Sequence, residues 1–158
     1  MTVQLWRIAT DTRDYLAEDL GGKGAEITGG RWNRPGRAVV YTSVTASLSC
    51  LETVVHLQDN ALPLNRYLIR IDVPDDVWAL KAVLRLEDLN PGWSAIPEGR
   101  ISLDLGDGWL AANDTPLLVV PSVIVPEESN VLINPTHPAV RHIVAVKLRA
   151  WHYDRRLA

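Results

Sequence analysis

The segment from residue 28 to 56 constrains the fold most, because it combines a glycine pair, a tight turn, a short strand and a helix. Gly29-Gly30 can adopt backbone conformations closed to other residues, and it stands directly before Arg31. Arg34-Pro35-Gly36 is typical of a tight turn. The apolar run Val39-Val40-Tyr41 then predicts a strand that ends in an aromatic residue with a polar tip. We therefore expect a compact loop–strand–helix unit.

The helix of this unit is predicted over Ala46 to Gln58, where apolar residues recur three and four positions apart. Ser43 or Thr45 can supply the N-cap oxygen. At 100° per residue, Glu52 and His56 share a line at the margin of the apolar stripe, so a carboxylate there is half removed from water. This placement favours a functional role for Glu52. The stripe consists of Leu48, Leu51, Val54 and Val55.

The three polar groups of the unit each have a purely structural interpretation as well. Arg31 could extend along the surface, Tyr41 could be an amphipathic strand residue, and Glu52 could simply lie at a helix edge. Their occurrence together in one loop–strand–helix unit favours a shared site.

The composition excludes several classes of function. The 158 residues, 47% of them hydrophobic, predict a single globular domain over residues 1–158. Sixteen basic residues against nineteen acidic ones leave no positive footprint for nucleic acid or an anionic membrane. The sequence shows neither a leader pattern nor an apolar run of membrane-spanning length, so we expect a cytoplasmic protein.

Metal and nucleophile motifs are absent from the sequence. Cys50 is the only cysteine and is predicted to be a small core residue. The four histidines show no metal-ligand spacing, so no metal is predicted. The phosphate-loop patterns and the GxSxG nucleophile elbow do not occur.

The remaining chain predicts an α+β domain that is rich in strands after the first long helix. Ser122 is the lone hydroxyl in the most apolar strand, where it could be a bulge residue bonded to its own backbone or a functional group. The predicted strands span 3–8, 66–73, 77–80, 116–126 with a break at Pro121, 130–134 and 143–150. Helices are expected over 11–20 and 106–113, with a surface loop within 93–105.

Motifs along nearly the whole chain resemble those of the RES-domain toxins of bacterial toxin–antitoxin pairs, of the Xre/RES and ParS/ParT type. The family takes its name from an arginine, a glutamate and a serine, which correspond here to Arg31, Glu52 and Ser122. The matching blocks are Gly29-Gly-Arg-Trp-Asn33, Gly36, Val40-Tyr41, Leu51-Glu52, His56, Pro91-Gly-Trp93, Leu105-Gly-Asp107, Trp109-Leu110, Val120-Pro-Ser122, Asn130, Leu132, Asn134-Pro135, His137-Pro138 and Asp154-Arg-Arg-Leu157.

The resemblance implies an ADP-ribosyltransferase-like fold, with strands in two sheets and a few short helices around an NAD⁺ cleft. It also implies cleavage of the nicotinamide–ribose bond of NAD⁺, followed in some members by transfer of ADP-ribose to a protein, phosphoribosyl-pyrophosphate synthetase. Other members hydrolyse or phosphorolyse NAD⁺. The implied partner is a cognate antitoxin of the Xre or ParS kind that blocks the cleft.

The residue chemistry suits this reaction. Glu52 can stabilise the positive charge that develops on the ribose, as carboxylates do beside glycosidic bonds. Arg31, with Arg34 beside it in the cleft, can bind phosphate. Tyr41 can stack on the nicotinamide, so Tyr41→Phe is expected to retain most activity.

Two further site residues complete the prediction. Ser122 would hydrogen-bond the ribose or orient Glu52. His56, four residues past Glu52, could orient that carboxylate or simply point to solvent, and we assign it a supporting role near the substrate. A non-catalytic interaction module remains the alternative to an enzyme. Within the enzyme class, the acceptor of ADP-ribose stays open between protein, water and phosphate.

Overall fold

Alternating apolar residues produce seven strands in this computed structural model, which describes residues 1–57 and 61–157. Four α-helices and several short 3₁₀ turns connect them. The strands are β1 (Thr2–Ala9), β2 (Val40–Ser43), β3 (Arg66–Pro74), β4 (Ala82–Val83), β5 (Leu117–Pro121), β6 (Ser129–Ile133) and β7 (Val144–Trp151). The helices are α1 (Lys23–Thr28), α2 (Ala46–Val54), α3 (Asp75–Trp78) and α4 (Arg100–Ala112).

The strands form one mixed sheet in the order β4-β5-β6-β2-β1-β3-β7. Only β4 and β5 pair in parallel, and the other neighbours are antiparallel. The α+β prediction is confirmed. The two expected sheets are instead the two halves of a single sheet, joined between β1 and β2 by the one residue pair Trp6 and Ser43. Beyond this pair β1 and β2 separate, and the sheet is split at its centre.

Two apolar clusters lie on opposite faces of the strands. The larger cluster fills the face on which α3 and the 3₁₀ turn Pro138–His142 lie, and the smaller one lies under α4. Burial of these side chains is the main favourable contribution to folding. The larger cluster includes Leu5, Val40, Ile69, Ile71, Val131 and Ile133, and the smaller includes Trp32, Trp93, Leu118, Val120 and Leu132.

Helix α2 begins as predicted, because the Thr45 hydroxyl accepts a hydrogen bond from the N–H of Leu48 at 3.0 Å. It ends at Val54 rather than at Gln58, which lies outside the described residues. Leu48 is buried as expected, whereas Leu51 and Val55 of the predicted apolar stripe are 37% and 58% exposed. The buried side of α2 is therefore rotated toward Ser49 and Glu52.

Two local predictions were wrong, and one helix begins earlier than predicted. Residues 11–20 are not helical, because the side chains of Asp11 and Thr12 accept backbone N–H groups that a helix would need. The strand predicted at 77–80 is occupied by α3 and the turn that follows it. The surface loop predicted within 93–105 lies at residues 95–99. Helix α4 begins at Arg100, earlier than the predicted start at residue 106, and it continues through two glycines.

Gly106 explains why a helix as glycine-rich as α4 is retained. A Cβ atom at this position would lie 1.7 Å from the carbonyl oxygen of Trp32. The glycine therefore lets α4 pack directly against the backbone that follows Arg31. Among the described residues, none of the helices has both the length and the apolar character needed to cross a membrane.

Candidate active site

A cavity of about 820 Å³ opens where β1 and β2 separate, between α2 and the loop that follows α1. Its volume is within the range of small-molecule binding sites. Four of the six predicted site residues line it: Arg31, Tyr41, Glu52 and His56. The split in the sheet thus creates the cleft, and the loop–strand–helix unit forms one side of it.

Glu52 is half-buried in the cavity wall, and its carboxylate is held through one oxygen. Oε1 accepts a hydrogen bond from the Ser122 hydroxyl at 2.8 Å and another from Nδ2 of Asn130 at 2.7 Å. Both bonds go to Oε1 and neither goes to Oε2. The carboxylate can therefore present Oε2 to a ligand while the protein holds Oε1.

Ser122 contacts Glu52 but does not line the cavity. It is fully buried, and its hydroxyl also accepts backbone N–H bonds from Ile124 and Val125, each at 3.1 Å. The hydroxyl thus donates its hydrogen to Glu52, and its oxygen accepts the two backbone N–H groups. Both interpretations of Ser122 from the sequence are thus partly met: it bonds its local backbone and it orients Glu52.

Arg31 lies at the tip of a tight turn that is closed by a bridge between Gly30 and Asn33. Its Nη1 donates to the carbonyl oxygens of Trp93 and Ala95, at 3.0 and 2.9 Å. Because both bonds use Nη1, the guanidinium is held against the segment 93–95 and still has Nη2 and Nε for a second partner. The next residue, Trp32, is buried and stacks on Trp93 with centroids 6.0 Å apart.

Tyr41 stabilises the turn that carries Arg31 through its hydroxyl group. Its hydroxyl accepts the N–H of Trp32 at 3.0 Å and donates to Oδ1 of Asn33 at 2.6 Å. A Cβ atom on Gly30 would lie 2.7 Å from the same hydroxyl, so the glycine permits the close approach. Burial raises the pKa of the Tyr41 phenol well above its usual value, and the hydroxyl stays protonated as the donor to Asn33.

Arg34 does not line the cavity, so its predicted contact with NAD⁺ has no support from its position. It pairs with Asp107 at 2.8 Å and with Asp104 at 2.7 Å, both on α4. These carboxylates raise the pKa of the Arg34 guanidinium above its ordinary value, with the bond to Asp107 as the larger cause. His56 does line the cavity, but it is exposed, and the hydrogen bonds of Glu52 come from Ser122 and Asn130.

Two residues at the site had no role assigned from the sequence. Arg7 lines the cavity, and its buried Nε has no hydrogen-bond partner. Burial lowers the pKa of this guanidinium, and electrostatic interactions with Tyr15 and Asp19 partly offset the effect. An arginine inside the apolar strand β1 was the available signal. Asn130 on β6 hydrogen-bonds Glu52. In the sequence it was noted only as one of the residues shared with the RES-domain toxins.

Metal binding finds no obvious place in the described residues, where no three His, Cys, Asp or Glu side chains come together as ligands. The prediction that no metal is required stays a prediction. What the site does offer is two carboxylates, Glu52 and Glu98, and two arginines, Arg7 and Arg31, around a cavity. This arrangement can bind an anionic ligand and stabilise a developing cation.

Comparison with protein families gives a match over nearly the whole chain, since a model of the RES domain covers residues 4–156. A protein of Sphingobium sp. (strain YBL2) named Prs ADP-ribosylating toxin is 55% identical over 157 residues, 99% of this chain and 98% of that protein. Toxin Res of Yersinia enterocolitica is 36% identical over 156 residues, 98% of this chain and 99% of that protein. The candidate site residues, from Arg7 to Asn130, lie within the part of the chain that the RES-domain model matches.

A solved structure shares the fold. A chain of the M. tuberculosis MbcT–MbcA toxin–antitoxin complex is similar with a TM-score of 0.59, over 94% of this chain and 85% of that one. The two sequences are 20% identical, so this likeness concerns the fold alone.

Proposed function

Because the chain belongs to the RES-domain family, whose relatives above are toxins, we propose that it cleaves NAD⁺ at the nicotinamide–ribose bond and transfers ADP-ribose to a protein. The relative that is 55% identical is named for ADP-ribosylation, which supports this reaction over NAD⁺ hydrolysis. The observation that carries the proposal is Glu52, whose Oε1 is bound by the protein on the wall of a cavity large enough for a nucleotide.

The carboxylate has a direct electrostatic role in this reaction. When the nicotinamide–ribose bond breaks, nicotinamide leaves as a neutral molecule with the bonding electrons, and the ribose carbon becomes oxocarbenium-like. Glu52 would stabilise that positive charge and bind a ribose hydroxyl through Oε2. Because Ser122 and Asn130 already hold the other oxygen, the charge is oriented before the substrate arrives.

The two arginines of the cavity suit the diphosphate. Arg31 has Nη2 and Nε for a charge-assisted bond while Nη1 stays on the backbone of residues 93 and 95. Arg7 has a buried Nε without a partner, and a phosphate oxygen would satisfy it. Tyr41 borders the cavity and would contact the nicotinamide ring while its hydroxyl holds the Arg31 turn.

The second half of the reaction is attack on the ribose carbon by an acceptor, which loses a proton as the new bond forms. The acceptor we propose is a protein nucleophile, and phosphoribosyl-pyrophosphate synthetase is the candidate that the family resemblance implies. Water or phosphate at the same carbon would make the protein a hydrolase or phosphorylase instead. These outcomes differ only in which nucleophile approaches.

We also propose a protein antitoxin that covers the cavity, of the Xre or ParS kind. The support is the structural similarity to a chain of a toxin–antitoxin complex. Such an inhibitor would place a carboxylate near Arg31, where it would imitate a phosphate of NAD⁺.

The test uses the purified full chain and NAD⁺ carrying one radiolabel on the adenylate phosphate, added to cell extract. Release of nicotinamide together with label on a protein band supports the transferase. Label found only in small molecules replaces it by a hydrolase or phosphorylase. If no nicotinamide is released at any concentration of extract, the chain is a non-catalytic interaction module and the proposal is refuted.

A further inference from the structure

Asn130 is the neighbour of Glu52 to which the sequence assigns no role. Its Nδ2 donates to Oε1 of Glu52 at 2.7 Å, and its Oδ1 accepts the Ser43 hydroxyl at 2.7 Å. We propose that Asn130, oriented by Ser43, is a positioning residue that holds Oε1 of Glu52 and so directs Oε2 to the substrate. This inference rests on the proposed cleavage of NAD⁺ by Glu52.

Only one orientation of the Asn130 amide suits the site. An ionised carboxylate only accepts hydrogen bonds, so the NH₂ group of Asn130 must face Glu52. The reversed amide would place two acceptor oxygens against each other. Ser43 supports the observed orientation, since its hydroxyl donates to Oδ1 and so satisfies the amide oxygen that faces away from Glu52. Since Ser43 is only 3% exposed, water does not compete readily for that hydroxyl.

The backbone makes this arrangement rigid. Ser43 on β2 and Asn130 on β6 are directly opposite in the antiparallel register, and opposite side chains of such a pair lie on the same face of the sheet. Ser43 also pairs with Trp6 at the junction of the two halves of the sheet. Helix α2 thus carries Glu52, while the centre of the sheet sets the orientation of its carboxylate.

The kinetic consequence follows from the flexibility of glutamate. Without Asn130 only the Ser122 hydroxyl holds Oε1, so the carboxylate rotates more freely and its charge is less well fixed where the ribose cation develops. Removing one donor from a charged acceptor is expected to lower kcat roughly 10- to 100-fold. The KM for NAD⁺ should change less than about threefold, because Arg7 and Arg31 would still bind the phosphates.

Two substitutions of Asn130 distinguish the loss of its hydrogen-bond donor from the loss of its side-chain volume. Asn130→Ala removes both, whereas Asn130→Asp keeps the size and removes the NH₂ donor. Both are expected to lose turnover, and the loss for Asn130→Asp should be at least as large. Ser43→Ala keeps Asn130 but lets its side-chain amide rotate to the reversed orientation. We therefore expect an intermediate loss in kcat, of about 3- to 10-fold.

Asn134 provides a matched control immediately after the same strand. It is 2% exposed, and its Nδ2 donates to the carbonyl oxygen of Leu110 and to Oδ1 of Asn113, away from Glu52. Asn134→Ala should therefore lower the melting temperature as much as Asn130→Ala does, while kcat stays near the wild-type value. If a general loss of stability caused the fall in kcat, Asn130→Ala and Asn134→Ala would show the same fall.

The experiment measures kcat and KM for nicotinamide release, together with thermal melting, on the wild type and these four variants. Wild-type kcat in Asn130→Asp, or a loss confined to KM, overturns the inference and leaves the proposed function intact. An equal fall of kcat in Asn134→Ala also overturns it. Should Asn130→Ala not fold, Asn130→Asp and Ser43→Ala decide, and unchanged kcat in either of them is a refutation. A wild type that releases no nicotinamide refutes the proposed function itself.

Discussion

Replacing Tyr41 with phenylalanine is expected to impair the protein, in contrast to the prediction from the sequence that the ring alone matters. The hydroxyl bonds the N–H of Trp32 and Oδ1 of Asn33, and both of these residues are at most 2% exposed. An unsatisfied buried polar group costs about 1–3 kcal/mol. Allowing for partial relaxation, the free energy of unfolding should fall by roughly 2–4 kcal/mol.

For a chain of 158 residues, this loss corresponds to a fall of about 5–15 °C in melting temperature. The KM for NAD⁺ should also rise, because the same two bonds hold the turn that carries Arg31. Circular dichroism melting and a nicotinamide-release assay on one preparation measure both effects. Tyr67→Phe is the matched control, since Tyr67 contacts Lys147 through its ring face.

The reasoning is refuted if Tyr41→Phe melts within about 1 °C of the wild type and keeps its KM. That result would mean that the two hydrogen bonds contribute nothing to the turn. A lower melting temperature with unchanged KM would separate the stability of the turn from the binding role assigned to Arg31.

Three other substitutions test the remaining roles. Glu52→Gln keeps an oxygen that both hydrogen-bond donors can reach but removes the negative charge. Nicotinamide release should therefore fall about 10²–10³-fold, while the free energy of unfolding changes by less than ~1 kcal/mol. Near wild-type release would contradict the mechanism. Arg7→Met removes a cation whose buried Nε has no hydrogen-bond partner. The melting temperature should therefore stay the same or rise, while the KM for NAD⁺ increases at least about tenfold. An unchanged KM would exclude a phosphate contact. Arg34→Ala breaks the ion pairs to α4, so the melting temperature should drop with KM unchanged; a raised KM would return Arg34 to the binding site.

Local sequence patterns predicted the part of the site that lies within one short segment. Alternation of apolar residues located most strands, and the Thr45 cap located the start of α2. Arg31, Tyr41 and Glu52 lie within 22 consecutive residues, so the loop, strand and helix that carry them follow from nearest-neighbour rules. The failed predictions at 11–20 and 77–80 have a local cause too, since side-chain hydrogen bonds and a helical turn replaced weak patterns.

Long-range contacts lay beyond those rules. Ser122 and Asn130 meet Glu52 from 70 and 78 residues away, and Arg34 meets Asp107 across 73 residues. Which of these partners is adjacent depends on the order of strands in the sheet, and an alternating pattern specifies the faces of a strand but not its neighbours. The sequence alone could therefore assign Arg34 to phosphate and leave Asn130 without a role.

The sequence by itself determined which groups are candidates for the site, because a glycine turn before an arginine and a carboxylate on the following helix are local features with local causes. Only the tertiary structure decided the geometry of the site. The sheet splits where β1 and β2 share a single residue pair, and that split places Arg7 in the cavity wall. The pairing of β2 with β6 brings Asn130 to Glu52. Both depend on the packing of the whole chain, since closing such long loops is favourable only when the complete core is buried.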